Sequence, residues 1–364
     1  MAGKRALSGL SCGELIEILK PLPRYRSIQI FKWIACGVQN FAEMSNLPMS
    51  LREQLAGQFI IRSCKTDSRA DGADGTIKLL IALEDGNKIE SVLLTDNKNR
   101  KTACLSTQAG CSMGCVFCKT GSLGFVRNLC SAEIVEQYLL LLEAGGSVSN
   151  IVIMGMGEPL LNLTELRKAL EVFGDKQGLK ISMRRITVST CGISEGIIDL
   201  ADKGPGVRLA FSLTTADENL RKRLMPICGT QSLEKIKKAL VYFQKSGGGR
   251  ITLEAVLFAG INTRLYDASR MADFAAGLDV VVNLIPWNSF DNPSPCSSCE
   301  PERSKEFGGK FRDAPALREP KHSEVTEFKR RLEAMGLKVT CRFGKGRSVS
   351  GACGQLGVVN EAAR

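Results

Sequence analysis

Apolar and polar residues alternate along this chain with two different periods, and the change of period divides it. Up to about residue 70 the spacing is helical. Ser11 stands where it can cap a helix carrying Leu15, Ile16 and Ile18. From Arg24 to Trp33, Arg24, Arg26 and Lys32 interleave with Tyr25, Phe31 and Trp33. Asp71 to Gly75 reads Asp-Gly-Ala-Asp-Gly, a turn-rich boundary. Two strand-like runs follow, 76–83 and 88–95, and Glu-Asp-Gly-Asn between them predicts a hairpin.

Beyond that point strands and helices take turns. The pattern predicts strands at 102–106, 150–155, 185–190, 207–213, 250–258 and 280–286. It predicts helices at about 131–144, 163–174, 193–203, 231–246 and 264–277. Repeated βα units imply a parallel sheet covered by helices. A count of about six suggests a partial barrel or an open α/β sheet, and in both the working residues lie at the C-terminal ends of strands. Residues 290–320, with Pro293, Pro295, Pro315, Pro320 and Gly308-Gly309, read as an inserted loop. A helix at about 322–335 and a strand at 338–343 precede the ending Gly351-Ala-Cys-Gly-Gln-Leu-Gly357.

Charge narrows the partners. The formal net charge is +11, which suits a polyanion such as nucleic acid, although a merely soluble basic protein has the same balance. Residues 1–65 hold nine Lys/Arg against four Asp/Glu, so nearly half the excess lies in under a fifth of the chain. Cations that attract phosphates beside aromatics that stack on bases fit a small RNA-binding appendage; aromatics of a helical core are the plainer reading of each ring. No apolar run approaches a membrane span, and the basic N-terminus lacks the apolar region and cleavage site of a signal peptide. The expectation is a soluble cytoplasmic protein.

Fourteen cysteines and one histidine, His322, change the chemistry on offer. In a reducing compartment such cysteines serve as metal ligands, catalytic thiols or core residues rather than disulfides. The lone histidine argues against histidine-rich zinc sites and histidine acid–base catalysis. Cys111, Cys115 and Cys118 form a C-x-x-x-C-x-x-C run beside glycines, on a loop after the strand at 102–106. A zinc site needs a fourth ligand. Three thiolates in one loop suit an iron–sulfur cluster, whose fourth iron is either completed by a distant cysteine or left open for a substrate. Cys296 and Cys299 form a separate C-x-x-C pair with no second pair at zinc spacing.

That loop, placed on the first strand of a repeated βα fold, resembles the radical S-adenosylmethionine (SAM) superfamily. Four further stretches refine the resemblance: Cys104-Leu-Ser-Thr-Gln-Ala-Gly-Cys111, Met154-Gly-Met-Gly-Glu-Pro-Leu-Leu-Asn162, Leu284-Ile-Pro-Trp-Asn288 and Ala352-Cys-Gly-Gln-Leu356. Together, from about Arg24 to Leu356, they are similar to the RlmN/Cfr family of RNA methyltransferases. The Pro-Leu-Leu-Asn and Ile-Pro-Trp-Asn forms favour the adenosine-C2 branch over the C8 branch.

The resemblance implies an α/β fold, a partial (βα)6 TIM-like barrel with a small N-terminal helical domain. It divides the chain into residues 1–70 (helical, RNA-binding), 71–96 (β-hairpin), 97–345 (radical SAM core) and 346–364 (the segment with the methyl-carrying cysteine). It implies one 4Fe–4S cluster on Cys111, Cys115 and Cys118. Gly157, Glu158, Ser189, Ser212, Leu213, Thr214 and Asn288 fall at the family's SAM site, with Glu158 at the amino group. The implied reaction methylates Cys353 from one SAM and takes a hydrogen from that methyl group with a radical made from a second. The carbon is then joined to adenine C2, and product is released when Cys104 forms a transient disulfide with Cys353. Glu90 falls at the base that takes the C2 proton. The implied partners are 23S rRNA, tRNA and an electron donor such as flavodoxin, with the protein a monomer. A non-catalytic iron–sulfur RNA-binding protein is the rival from another class. Three departures stand out: Thr214 replaces the family's histidine, no aspartate precedes Ala-Cys-Gly-Gln-Leu, and Glu90 to Cys104 is one residue longer.

Overall fold

The computed structural model describes residues 4–226, 231–290, 316–342 and 344–360. Cys296 and Cys299, and most of the stretch read as an inserted loop, lie outside the described residues. Helix α1 (Cys12–Ile18) starts at Ser11 in a reciprocal box. The Ser11 hydroxyl accepts the Glu14 N–H at 3.3 Å, and the Glu14 carboxylate accepts the Ser11 N–H at 2.9 Å. Helix α2 (Arg24–Ala35) buries Ser27, Ile30, Phe31 and Ile34, the spacing of one helical face. Its aromatics divide accordingly. Phe31 is core, Trp33 is half-buried with its indole N–H on Asn46 at 2.7 Å, and Tyr25 is exposed with the Arg26 guanidinium 5.0 Å from its ring centre. Helix α3 (Met49–Gln58) follows, and a short parallel pair, β1 (Arg5–Ala6) with β2 (Phe59–Ile60), closes this part.

The remaining strands build one ten-stranded sheet and a small ribbon. In chain order they are β3 (Lys65–Asp71), β4 (Ile77–Ala82), β5 (Lys88–Thr95), β6 (Lys101–Cys104), the ribbon β7 (Gln108–Gly110) with β8 (Phe125–Asn128), β9 (Asn150–Ile153), β10 (Ile186–Thr190), β11 (Arg208–Ser212), β12 (Ile251–Leu257), β13 (Val280–Pro286) and β14 (Val339–Cys341). The sheet order is β14-β13-β12-β11-β10-β9-β6-β5-β4-β3. Strands β6 and β9 to β14 run parallel; β3 to β6 are antiparallel neighbours.

Helices return the chain between parallel strands: α4 (Lys119–Ser122) and α5 (Ser131–Gly145), α6 (Leu163–Gly174), α7 (Ser194–Lys203), α8 (Glu218–Leu224) and α9 (Leu233–Phe243), α10 (Leu265–Ala275), and α11 (His322–Ala334). Six βα units followed by a seventh parallel strand agree with the predicted partial barrel. Its curvature is visible in one cavity, which residues of β5 and β6 line together with residues of β13 and the stretch after β14.

Three expectations need correction. Residues 65–71, inside the stretch read as helical, form β3. Its sequence Lys-Thr-Asp-Ser-Arg-Ala-Asp is polar throughout and almost wholly exposed, so an edge strand here carries no apolar period to read. The hairpin at 77–95 belongs to the main sheet, because β5 pairs with β6. The helix read to residue 246 ends its regular turns at Phe243, and Gly247 at φ +92 breaks it.

The N-terminal helices also share their core with the sheet. Leu7, Leu15 and Phe31 join the same buried cluster as Ile134 and Leu170. Buried Glu136 on α5 fastens the join, accepting the Ser8 hydroxyl at 2.5 Å and the N–H groups of Ser63 and Cys64 at 2.9 and 2.6 Å. No helix of the described residues is long and apolar enough to cross a membrane.

Candidate active site

The three-cysteine loop leaves β7 and ends in α4. Tight backbone packing shapes it. Gly110 sits at φ +77, and a Cβ there would lie 2.0 Å from the Gly124 carbonyl oxygen; one at Gly121 would lie 2.9 Å from the Cys115 backbone. Behind the loop is a dry wall of Met113, Phe117, Leu224, Met225 and Phe258, on which Cys111, Cys115 and Cys118 rest half-buried. The Phe117 and Phe258 rings stand 5.5 Å apart, and the Trp287 indole donates to the Phe117 carbonyl at 3.1 Å. Burial raises the Cys118 thiol, opposed by the N–H groups of Gly121 and Thr120. Among the described residues no three His, Cys, Asp or Glu side chains are arranged to hold a single metal ion. A donor set of three sulfurs on one loop, with an apolar backing and backbone N–H groups aimed at sulfur, fits an iron–sulfur cluster.

The residues expected to hold SAM occupy successive strand ends. Gly157 has φ +103, and a Cβ there would lie 2.6 Å from the Gln108 side chain and 2.9 Å from its N–H, so only glycine fits. Glu158 is buried. Its N–H donates to the Gln108 side chain at 2.9 Å, and its carboxylate accepts the N–H groups of Leu160 at 3.1 Å and Cys191 at 2.8 Å. Ser189 lies half-buried on β10, opposite Ala210 of β11. Ser212 ends β11, and Thr214 follows at φ +57, an uncommon conformation for a β-branched residue. The Thr214 hydroxyl is buried with no hydrogen-bond partner among the described residues, the kind of atom a ligand can satisfy.

Sequence reasoning missed the support beneath this row. Arg221 of α8 is wholly buried, its guanidinium 5.2 Å from the Phe211 ring centre. It donates to the carbonyls of Ser212 at 3.0 Å, Leu213 and Cys191. One arginine thus ties the ends of β10 and β11 together. Glu254 of β12 was missed as well. It accepts the Asn283 amide at 2.7 Å; burial raises its carboxyl, against that hydrogen bond and the charge of Arg342. Neither residue stands in a motif.

A cavity of about 610 Å³ collects the remaining chemistry. Cys104, Cys118, Cys353 and Asn288 all line it. Burial, and secondarily Cys353, push the Cys104 thiol up to about 12, with the Met154 N–H and the Arg342 charge opposing. Cys353 is exposed and lines the cavity, and the surrounding protein still raises its thiol, again with Arg342 opposing. The segment carrying Cys353 is pinned at several points. The Asn288 amide donates to the Cys353 carbonyl at 3.3 Å, Lys119 N–H to the Gly354 carbonyl at 2.8 Å, and the Thr120 hydroxyl to the Leu356 carbonyl at 2.5 Å. Asn288 also accepts from Arg347 at 2.7 Å.

Glu90 stands outside the lining of this cavity. It is buried on β5 with one carboxylate oxygen 2.9 Å from the Lys78 ammonium and the other accepting the Gly357 N–H at 2.7 Å. Glu158, Ser189 and Ser212 are likewise outside its lining.

Comparison with known proteins accounts for this assembly. Residues 105–268 match the model of the radical SAM superfamily, and residues 15–61 match that of the ribosomal RNA large subunit methyltransferase N-terminal domain. A protein of Treponema denticola named a probable dual-specificity RNA methyltransferase RlmN is 47% identical over 354 residues, 97% of this chain and 96% of its own. A dual-specificity RNA methyltransferase RlmN of Pelobacter propionicus is 37% identical, covering 100% and 99%. The crystal structure of a radical SAM methyltransferase from Sphaerobacter thermophilus superposes with a TM-score of 0.86 at 34% identity, over 97% of this chain and 99% of that one. Membership of the radical SAM superfamily implies a 4Fe–4S cluster and SAM as cofactors. The chain belongs to the RlmN family of radical SAM RNA methyltransferases.

Proposed function

We propose that this chain methylates C2 of adenosine in RNA, with Cys353 as the methyl carrier and Cys104 as the resolving thiol. One observation carries the reading: the two cysteines, far apart in sequence, line the same cavity, and Cys118 of the cluster loop lines it with them. A dual-specificity name on close relatives supports two substrates, one adenosine of 23S rRNA and the adenosine 3′ of the anticodon in some tRNAs. An electron donor such as flavodoxin, a monomeric state, a cytoplasmic location and an RNA-binding role for residues 1–70 belong to the same reading. Exposed Tyr25 beside Arg26 supports the last of these.

Cys111, Cys115 and Cys118 would hold the cluster. Gly157, Glu158, Ser189, Ser212, Leu213, Thr214 and Asn288 would hold SAM. Cluster and SAM together supply one-electron chemistry that can remove hydrogen from an unreactive C–H bond. Such chemistry is needed because adenine C2 is electron-poor and no nucleophile, so direct methyl transfer fails. Cys353 presents its S-methyl carbon to the cavity, held there through its carbonyl by Asn288. Cys104 attacks the Cys353 sulfur once that carbon is bonded to C2; the S–C bond breaks with its electron pair going to the carbon, which takes up a proton to become the methyl group, and the disulfide left behind is reduced by an external thiol. Glu90 takes the C2 proton in this reading. The apolar wall of Phe117, Phe258 and Met225 keeps water from the loop.

The test is anaerobic reconstitution with SAM, a reductant and either RNA, followed by mass analysis of the nucleosides. The expected product is 2-methyladenosine from both. Only 8-methyladenosine would assign the C8 reaction, and SAM left intact would favour the non-catalytic rival.

A further inference from the structure

The cavity has two lips of one charge. One lip is the β5–β6 turn from Asp96 to Arg100; the other is made by Arg342, Gly344 and Lys345, after β14. Lys98, Arg100, Arg342 and Lys345 line the opening, and Asp96 is the one acid among the lining residues. Asp96 is already committed. Its carboxylate accepts the N–H groups of Lys98 at 2.8 Å and Arg100 at 2.9 Å and pairs with the Arg100 guanidinium at 2.7 Å. Those bonds, with Asn99 at φ +59, make the turn a rigid frame in which Arg100 is neutralised locally. Lys98, Arg342 and Lys345 make no ion pair among the described residues, and the Lys345 ammonium donates to the neutral Thr95 carbonyl at the end of β5, so its charge stays uncompensated. Between the lips the lining is apolar and sulfurous: Leu94, Met154, Ile285 and Leu356 beside the cysteines.

An opening rimmed by unneutralised cations over an apolar floor suits a nucleotide whose base goes in while its phosphates stay out. Cys353 lines the cavity with Cys104 and Cys118, so a base must enter that cavity to meet it, and one stacked in a helix must first be extruded. We infer that the β5–β6 turn on one side, and Arg342 and Lys345 on the other, form a two-sided phosphate clamp, gripping the RNA backbone on either side of an extruded adenosine. The inference rests on the RNA methyltransferase reading and adds where the strand crosses the protein. It also gives a role to Lys98, an exposed side chain at the tip of a turn.

The experiment measures binding of a stem-loop RNA containing the target adenosine to the full chain, across about 50 to 200 mM salt. It compares the natural chain with Lys98→Ala, Lys98→Glu and the Lys98→Ala/Lys345→Ala double variant. Lys98 is exposed and its side chain makes no hydrogen bond or ion pair among the described residues, so its variants should fold as the parent does. The expected result is weaker binding in the order Ala, double Ala or Glu, and a plot of log affinity against log salt shallower by about 1 for each lysine removed. Replacing the target adenosine by uridine should leave those losses unchanged, because phosphate contacts carry no sequence information. Affinity and salt slope equal to the parent in both Lys98→Glu and the double variant would overturn the clamp. A parent chain that binds RNA through Lys98 yet transfers no methyl group would leave the clamp supported and overturn the proposed function.

Discussion

The Glu90 carboxylate accepts the backbone N–H of Gly357 at 2.7 Å, joining strand β5 to the segment that carries Cys353. With Lys78 on its other oxygen, Glu90 is an anchor as well as the proposed base. Gln at this position can still accept the Gly357 N–H but cannot take a proton. Glu90→Gln should therefore lower turnover by about 10² to 10³, within the range for general bases, with unchanged hydrogen exchange at 351–357. Glu90→Ala should lower turnover as much and speed that exchange. Full activity in Glu90→Gln would remove Glu90 as the base.

Asn288 holds the Cys353 carbonyl with its amide nitrogen and Arg347 with its oxygen. Each bond is worth about 1 kcal/mol. Asn288→Ala should raise KM for SAM and speed proteolysis near residue 353, while iron content stays that of the parent. Unchanged KM and unchanged proteolysis would show that Asn288 does neither job.

The Cys104 thiol, pushed up to about 12 by burial and by Cys353, is overwhelmingly protonated at neutral pH. A raised pKa makes thiolate scarce, and below that value its fraction grows about tenfold per pH unit. Where Cys104 attack limits product release, the single-turnover release rate should rise with pH from about 7 to 9. A flat profile for release would place the limiting step elsewhere.

Thr214 sits at φ +57, where a Cβ costs about 1–2 kcal/mol. Thr214→Gly and Thr214→Ala both lose the hydroxyl, but only glycine relieves the backbone. Denaturant unfolding should find the glycine variant more stable by about 1 kcal/mol, the reverse of the usual order. Both should bind SAM more weakly if the orphaned hydroxyl is a ligand contact.

Legibility in the sequence followed how local the signal was. The alternation of strands with helices is a short-range pattern, and the fold follows it; Glu158, Ser189 and Ser212 fall at or just past the strand ends where that pattern put them. Strand β3 did not, because an exposed edge strand has no apolar face to show. Arg221 and Glu254 were invisible for another reason: each matters through carbonyls or amides on other strands, partners that only the folded chain brings near. The same holds for the tie of Glu90 to Gly357, whose partners stand 267 residues apart along the chain. Thr214 looked like a weakened ligand; its strain and its orphaned hydroxyl appear only in the fold.

The claim that Cys353 carries the methyl group is tested most directly by following that carbon. The protein is loaded with a labelled methyl group on Cys353, freed of labelled SAM, and given unlabelled SAM, reductant and RNA for a single turnover. The account predicts that the label leaves Cys353 and appears on C2 of the target adenosine, and that Cys104→Ala traps it in a covalent bond between protein and RNA. Label that stays on Cys353 while adenosine gains an unlabelled methyl group would contradict it.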